Sequence, residues 1–182
     1  MYLLYSLVKM YGKMNEGRDL PEEEIVSTSK KIAMAAIKYG DLSNQPAKDY
    51  IFDIDKFTSF EGDTGPYILY TIVRIKSILA KYEANGGDIL AAKLQAPETK
   101  QQKNLMLEVT KFISMIESAY EELAPNKICS YIYDLANSFN GFYHETKIMA
   151  EEDKAKQAGY IALLVIVKRV LEDCISILGF EA

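Results

Sequence analysis

Apolar residues in this chain recur at spacings of four and three over most of its length, the period of one buried helix face. Leu105, Val109, Phe112, Ile116, Ala119 and Leu123 form one such series, which predicts a helix from about Glu98 to Leu123. Pro125 restarts the pattern, and Ile128, Ile132, Leu135, Phe139, Phe142 and Met149 carry it to about Ala150. A last helix is expected from about Asp153 to Leu178, apolar almost all round at Tyr160 to Val167 and therefore central. That stretch is β-branched enough to suggest a strand, but its length and flanks favour helix. Upstream, Met1 to about Lys13 reads as a short apolar helix ended by Gly12 to Gly17. Asp19-Leu-Pro21-Glu22 reads as a capping box with proline just inside, opening a helix through Ile25, Ile32, Ala33, Ala36 and Ile37 that Gly40 stops. Leu42 to Phe60 is mostly connection, with a helical turn around Asp53 to Thr58, and Asp88 to Gln95 has room for a short helix before Pro97. The expected fold class is all-α, a helical bundle.

Composition narrows the function. With 182 residues the chain can bury one good core. No stretch approaches the ~20 apolar residues of a membrane span. Tyr2 to Val8 has no basic region ahead of it and no small-residue cleavage site behind, so no signal peptide is expected. The two cysteines, Cys129 and Cys174, fall in apolar helical patterns and read as core residues of a reducing compartment. With a single histidine and no cysteine cluster, a structural zinc site is not expected. A net charge of -5 argues against a general nucleic-acid coat. It leaves room for a local basic strip from Arg74, Lys76, Lys81, Lys147, Lys168 and Arg169, suited to reading one RNA loop.

The segment from Ser59 to Leu79 carries the chemistry. An acidic, glycine-bearing loop, Glu61 to Gly65, runs into Pro66, which suits a first helical turn because its missing N–H would have no partner there. Thr64 or Asp63 can cap that turn, and the helix is expected over Pro66 to Ala84, closed by Asn85-Gly86-Gly87. At about 100° per residue, Tyr70 and Arg74 share a face, with Lys81 nearly in line. Two fates are open for the pair. A tyrosine packed under an arginine is common at a core edge; a ring beside a guanidinium on a rigid helix is also how unpaired bases and phosphates are held. Ile68, Ile72, Ile75, Leu79 and Tyr82 make the other face core.

The string Phe60-Glu-Gly-Asp-Thr-Gly-Pro-Tyr67, followed by Tyr70, Arg74 and Ser77-Ile78, closely resembles the opening of the DALR-type anticodon-binding domain of arginyl-tRNA synthetases. Ala36 to Asn44 and Phe52 to Asp55 resemble the segment that leads into it. Tyr131-Ile-Tyr-Asp-Leu-Ala136, Phe139-Asn140, Phe142-Tyr143 and Leu178-Gly179 resemble its later helices. The resemblance, from about Ile32 onward, implies a helical bundle of the class I synthetase anticodon-binding type over residues 46–182. Residues 1–45 would then be an arm leading from a catalytic domain absent from this sequence. It implies that Tyr70, Arg74 and Tyr143 meet anticodon-loop nucleotides and that the loop residues Gly62, Asp63 and Thr64 approach them. Helical spacing adds Asn140 one turn before Tyr143 and Lys147 one turn after it, with Lys81 in line with Tyr70 and Arg74. Asn140 is open to a base edge or to a bond within the bundle, and Lys147 to RNA or to solvent. Leu69 departs from the glutamine common in the family at that place, Lys147 stands where some members carry an aromatic, and the sequence ends before a Pro-Glu-Arg-Met-like terminus.

The implied partners are arginine tRNA isoacceptors and the catalytic domain of the same protein, in the cytoplasm, with no role for DNA or a membrane. The class I His-x-Gly-His motif needs two histidines, so this chain does not hold it, and Thr28-Ser-Lys-Lys31 lies in the wrong context for the lysine-serine loop. No cofactor and no catalytic residue are expected here; ATP belongs to the parent's catalytic domain. The rival reading is a stand-alone helical RNA-binding or protein-docking paralogue. His144 has no orienting partner for acid–base work. Glu61 and Asp63 oppose a phosphate cradle, and Asp53 and Asp55 lack the glycine of a calcium loop.

Overall fold

The computed structural model describes Val8 and residues 21–51 and 53–182; apart from Val8 the helix expected over Met1 to Lys13 lies outside the described residues, as do Asp19 and Leu20 of the expected capping box and Phe52. Every regular element among them is helical: α1 (Glu22–Leu42), α2 (Ile54–Phe57), α3 (Gly65–Ala84), α4 (Lys100–Thr110), α5 (Phe112–Glu121), α6 (Pro125–Glu145), a 3₁₀ turn (Ile148–Ala150) and α7 (Lys154–Ile177). The all-α expectation holds. No helix among them is long and apolar enough to cross a membrane.

The bundle is organised around α7, as its apolar girth predicts. Ile161, Leu164, Val167, Leu171 and Cys174 are fully buried, and α3, α4 and α6 pack against it. Burial pushes both cysteine thiols up to about 12, so they behave as small apolar residues. On the other side of α3 lies α1, which buries the expected Ala33 and Ala36 together with Ala35 and Tyr39, while Ile32 packs half-buried at the core edge. Small residues there let the two backbones approach closely. Pro21 sits at the cap position itself, where its carbonyl accepts from Glu24 and Ile25 N–H at 3.0 and 3.1 Å.

Gly40 does not stop α1, which runs through it to Leu42. Four further expectations change, each for a local reason. The helix predicted over Glu98–Leu123 is broken at Lys111. The Thr110 hydroxyl donates to the Leu107 carbonyl at 2.7 Å, and the Lys111 N–H, which would normally take that carbonyl, turns to Glu108 at 3.2 Å. α5 then closes early, with Leu123 in the left-handed region (φ 49°) and the Ala124 N–H returning to the Ala119 carbonyl at 2.9 Å. The segment Asp88 to Gln95 forms a turn, not a helix. Asp88 Oδ1 accepts from Leu90 and Ala91 N–H at 2.9 and 3.2 Å, and Gln95 then lies against Gly159 of α7. Finally, α6 stops at Glu145, where Thr146 turns extended (φ -116°, ψ 118°) and the chain folds back to bury Ile148. Gln157 holds that fold by donating to the Ile148 and Met149 carbonyls at 3.0 and 3.3 Å.

The broad basic strip does not form. Lys168 pairs with Glu172 at 2.9 Å, Lys76 with the same carboxylate group at 3.1 Å, and Arg169 with Asp173 at 2.9 Å. Three of its six members are thereby held in local ion pairs, in which Glu172 and Asp173 offset two of the three charges.

Candidate nucleic-acid interface

The site begins with the turn that starts α3. Thr64 is its cap: its side-chain oxygen accepts from the Tyr67 N–H at 3.2 Å, and its hydroxyl donates to the Ser59 carbonyl at 2.6 Å. The residue is only 2% exposed, so its hydroxyl is engaged inside the protein. Thr64→Ala is expected to cost about 1 kcal/mol, and for a chain of this size about 2–4 °C of melting temperature, measured by thermal denaturation; an unchanged midpoint would remove the cap from the account. Asp63 is tied down as well. Tyr39 of α1 donates its hydroxyl to Asp63 Oδ1 at 2.5 Å, with the Cys129 carbonyl oxygen 2.9 Å away. Burial first, and then the Asp63 carboxylate, push the Tyr39 phenol far above its ordinary pKa, so it remains a donor. Gly62, at φ 81°, supplies the turn and is exposed.

From this anchored start α3 runs beside α6 and the two place their polar residues opposite each other. Arg74 Nη1 donates to Asn140 Oδ1 at 2.6 Å, and Nη2 donates to the Tyr70 hydroxyl at 3.0 Å. The guanidinium carbon lies 4.7 Å from the Tyr70 ring centre and 5.4 Å from that of Tyr143, both within cation–π range. These three partners are neutral, so they orient the charge without cancelling it. Tyr70 is 48% exposed and Tyr143 37%. Tyr143 is held from beneath by the fully buried Phe139, stacked at 5.9 Å and 26°. The result is a cation flanked by two accessible rings on neighbouring rigid helices.

Tyr70, Arg74, Asn140 and Tyr143 are therefore brought together. Lys147 is not one helical turn beyond Tyr143, as a continuous helix would have placed it; it precedes the 3₁₀ turn after α6 has ended and is exposed. Lys81 is exposed near the end of α3, on the Tyr70 face but several turns away. Two residues that sequence reasoning passed over complete the cluster. The Tyr67 hydroxyl donates to Asn137 Oδ1 at 2.8 Å and accepts from Asn140 Nδ2 at 2.7 Å, and its ring meets that of Tyr133 edge-on at 5.9 Å. The available signal was a pair of asparagines three apart, Asn137 and Asn140, flanking the buried Phe139 on α6.

Comparison with known proteins identifies the family and the fold. Residues 68–182 match the family model described as the DALR anticodon binding domain. Relatives include the arginine–tRNA ligases of Agathobacter rectalis, 62% identical over 98% of this chain, and Alkaliphilus oremlandii, 48% identical over 98%. The chain spans 30% and 31% of their respective lengths. Among solved structures it superposes on the Thermus thermophilus arginyl-tRNA synthetase with a TM-score of 0.84 at 26% identity, over 100% of this chain and 31% of that one. The long family match, through α3 to α7 and including Tyr70, Arg74, Asn140 and Tyr143, shows that this chain belongs to the DALR anticodon-binding domain family.

Proposed function

We propose that the chain is the anticodon-binding part of an arginyl-tRNA synthetase, and that it grips the anticodon loop of arginine tRNAs through the surface where α3 and α6 meet. The observation that carries this reading is the Arg74 guanidinium, uncancelled by its neutral partners and set between two exposed tyrosine rings. Splayed bases stack on such rings, and a fixed cation beside them takes a phosphate or a base edge. Gly62, Lys81 and Lys147, all exposed, extend the contact. Asp63 and Thr64 serve it by fixing the turn from which α3 starts.

In this reading the catalytic domain, which binds ATP and arginine, lies in the part of the protein that this sequence does not include, and residues 1–45 lead from it. Grip on the anticodon contributes to a reaction at the far end of the tRNA by orientation, since binding energy gathered at a remote contact is spent on placing the reacting groups. The protein would work in the cytoplasm, where tRNA is charged.

The test is binding to an RNA hairpin carrying an arginine anticodon arm, compared with the same stem bearing a scrambled loop. The native loop should bind more tightly at both low and moderate salt. Tyr70→Ala should weaken that binding by roughly 10–100-fold, in line with ~1–3 kcal/mol per stacked base, and leave the melting temperature nearly unchanged because the ring is half-exposed. Equal affinity for both loops would defeat the proposal; a large drop in melting temperature would make Tyr70 a core residue instead.

A further inference from the structure

The hydrogen bonds around Arg74 have a direction, and one chemical fact sets it. A guanidinium only donates, so the Asn140 atom 2.6 Å from Arg74 Nη1 must be the carbonyl oxygen. The Asn140 amide nitrogen then faces the Tyr67 hydroxyl at 2.7 Å and donates to it. With its oxygen accepting there, Tyr67 turns its single proton to Asn137 Oδ1 at 2.8 Å. The chain Arg74, Asn140, Tyr67, Asn137 thus has one consistent polarity from end to end. Each link crosses between α3 and α6, so the helices lock one another's side chains. Tyr67 is itself fixed by packing: its ring sits edge-on to Tyr133, and its backbone N–H is held by Thr64. A free arginine samples many rotamers, and ordering it on a ligand costs affinity; one ordered beforehand avoids that cost.

We propose that Tyr67, held by Asn137, is a positioning residue that acts through Asn140 to keep the Arg74 guanidinium set between Tyr70 and Tyr143 before RNA arrives. This rests on the anticodon reading for its purpose, but the ordering itself exists without RNA. Asn140 in this arrangement is a connector, with its oxygen and one amide proton engaged inside the protein, rather than a reader of a base.

Two measurements on the 182-residue chain decide it. The first is the ¹⁵N relaxation of the Arg74 Nε–Hε group in the free protein. It should report a rigid group in the wild type and a mobile one in Tyr67→Phe, which keeps the ring and removes only the hydroxyl. Asn137→Leu should loosen the group to a similar degree, whereas Asn137→Asp, which keeps an acceptor for Tyr67, should leave it rigid. The second is hairpin affinity at low ionic strength, where weakened binding stays measurable. Tyr67→Phe should weaken it by about fivefold, and that loss should vanish when Arg74 is already alanine. An Arg74 group equally rigid in Tyr67→Phe and the wild type overturns the proposal, as does a loss of affinity that persists in the Arg74→Ala background. If the wild-type chain does not bind the hairpin, the anticodon reading falls by itself, and the relaxation measurement still decides the role of Tyr67.

Discussion

Gly65→Ala is expected to destabilise the fold by about 3 kcal/mol, the upper end of what overpacking costs, lowering the melting temperature by roughly 10 °C for a chain of this size. Glycine-to-alanine changes inside helices normally go the other way, by about 1 kcal/mol, because alanine loses less backbone entropy. Here contact decides the sign. A methyl carbon at Gly65 would lie 2.5 Å from the carbonyl carbon of Ala35, closer still to its oxygen, and 3.0 Å from Tyr39 Cβ. The obstacle is the backbone of α1, which cannot rotate aside as a side chain could. Relief requires α1 and α3 to separate, and that carries away the Tyr39 hydroxyl that secures Asp63. Gly141 on α6 is the control: a methyl there meets nothing within 4 Å, so Gly141→Ala should leave stability unchanged or raise it by up to about 1 kcal/mol. Denaturation followed by circular dichroism compares the two. If Gly65→Ala proves as stable as Gly141→Ala, the close approach of α1 and α3 is not what the glycine serves.

The same contrast shows which parts of the architecture were legible in the residues. Periodicity located α3, α6 and α7 because each buries a long apolar stripe, and the Thr64-Gly-Pro66 start was legible because capping chemistry is local. The break at Lys111 was not, since one hydroxyl redirecting one carbonyl leaves the apolar spacing intact. The end of α6 was missed for a related reason: Met149 keeps the period, while the chain leaves the helix to bury Ile148 against the next element. Tertiary burial, not propensity, ended that helix.

For the site, spacing alone put Tyr70 and Arg74 on one face, but nothing in a period of 3.6 says which other helix that face meets. The family resemblance supplied Tyr143, and helical spacing added Asn140 beside it; the packing of α3 against α6 explains why both lie next to Arg74. Thr64 shows the opposite case. Capping and RNA contact were both read into it, and one buried hydroxyl already engaged with Ser59 does not serve both. Tyr67 was noted only as the end of the Phe60–Tyr67 string, because nothing in that string shows the asparagines of α6 opposite it.

Arg74→Ala should weaken binding of the arginine anticodon hairpin by about 100-fold, close to 2.7 kcal/mol. Three contributions coincide at this side chain. Its charge would meet a phosphate or a base edge with no carboxylate partner among the described residues to be displaced; its plane fills the space between two rings; and its order is established in advance by Asn140 and Tyr70. Folding should be little affected, because Arg74 and its partner Asn140 are both only half-buried. Arg74→Lys separates charge from shape. Lysine keeps the cation but lacks the planar fork, so it should recover the salt dependence of the wild type while recovering only part of its affinity. Arg74→Ala, by contrast, should flatten the plot of log affinity against log salt by roughly 0.7, the value for one phosphate of a single strand left without its cation. Hairpin titrations at several salt concentrations give both quantities together. If Arg74→Ala binds as tightly as the wild type at low salt and with an unchanged slope, the guanidinium does not touch RNA, and the two tyrosines beside it lose their claim as a stacking platform.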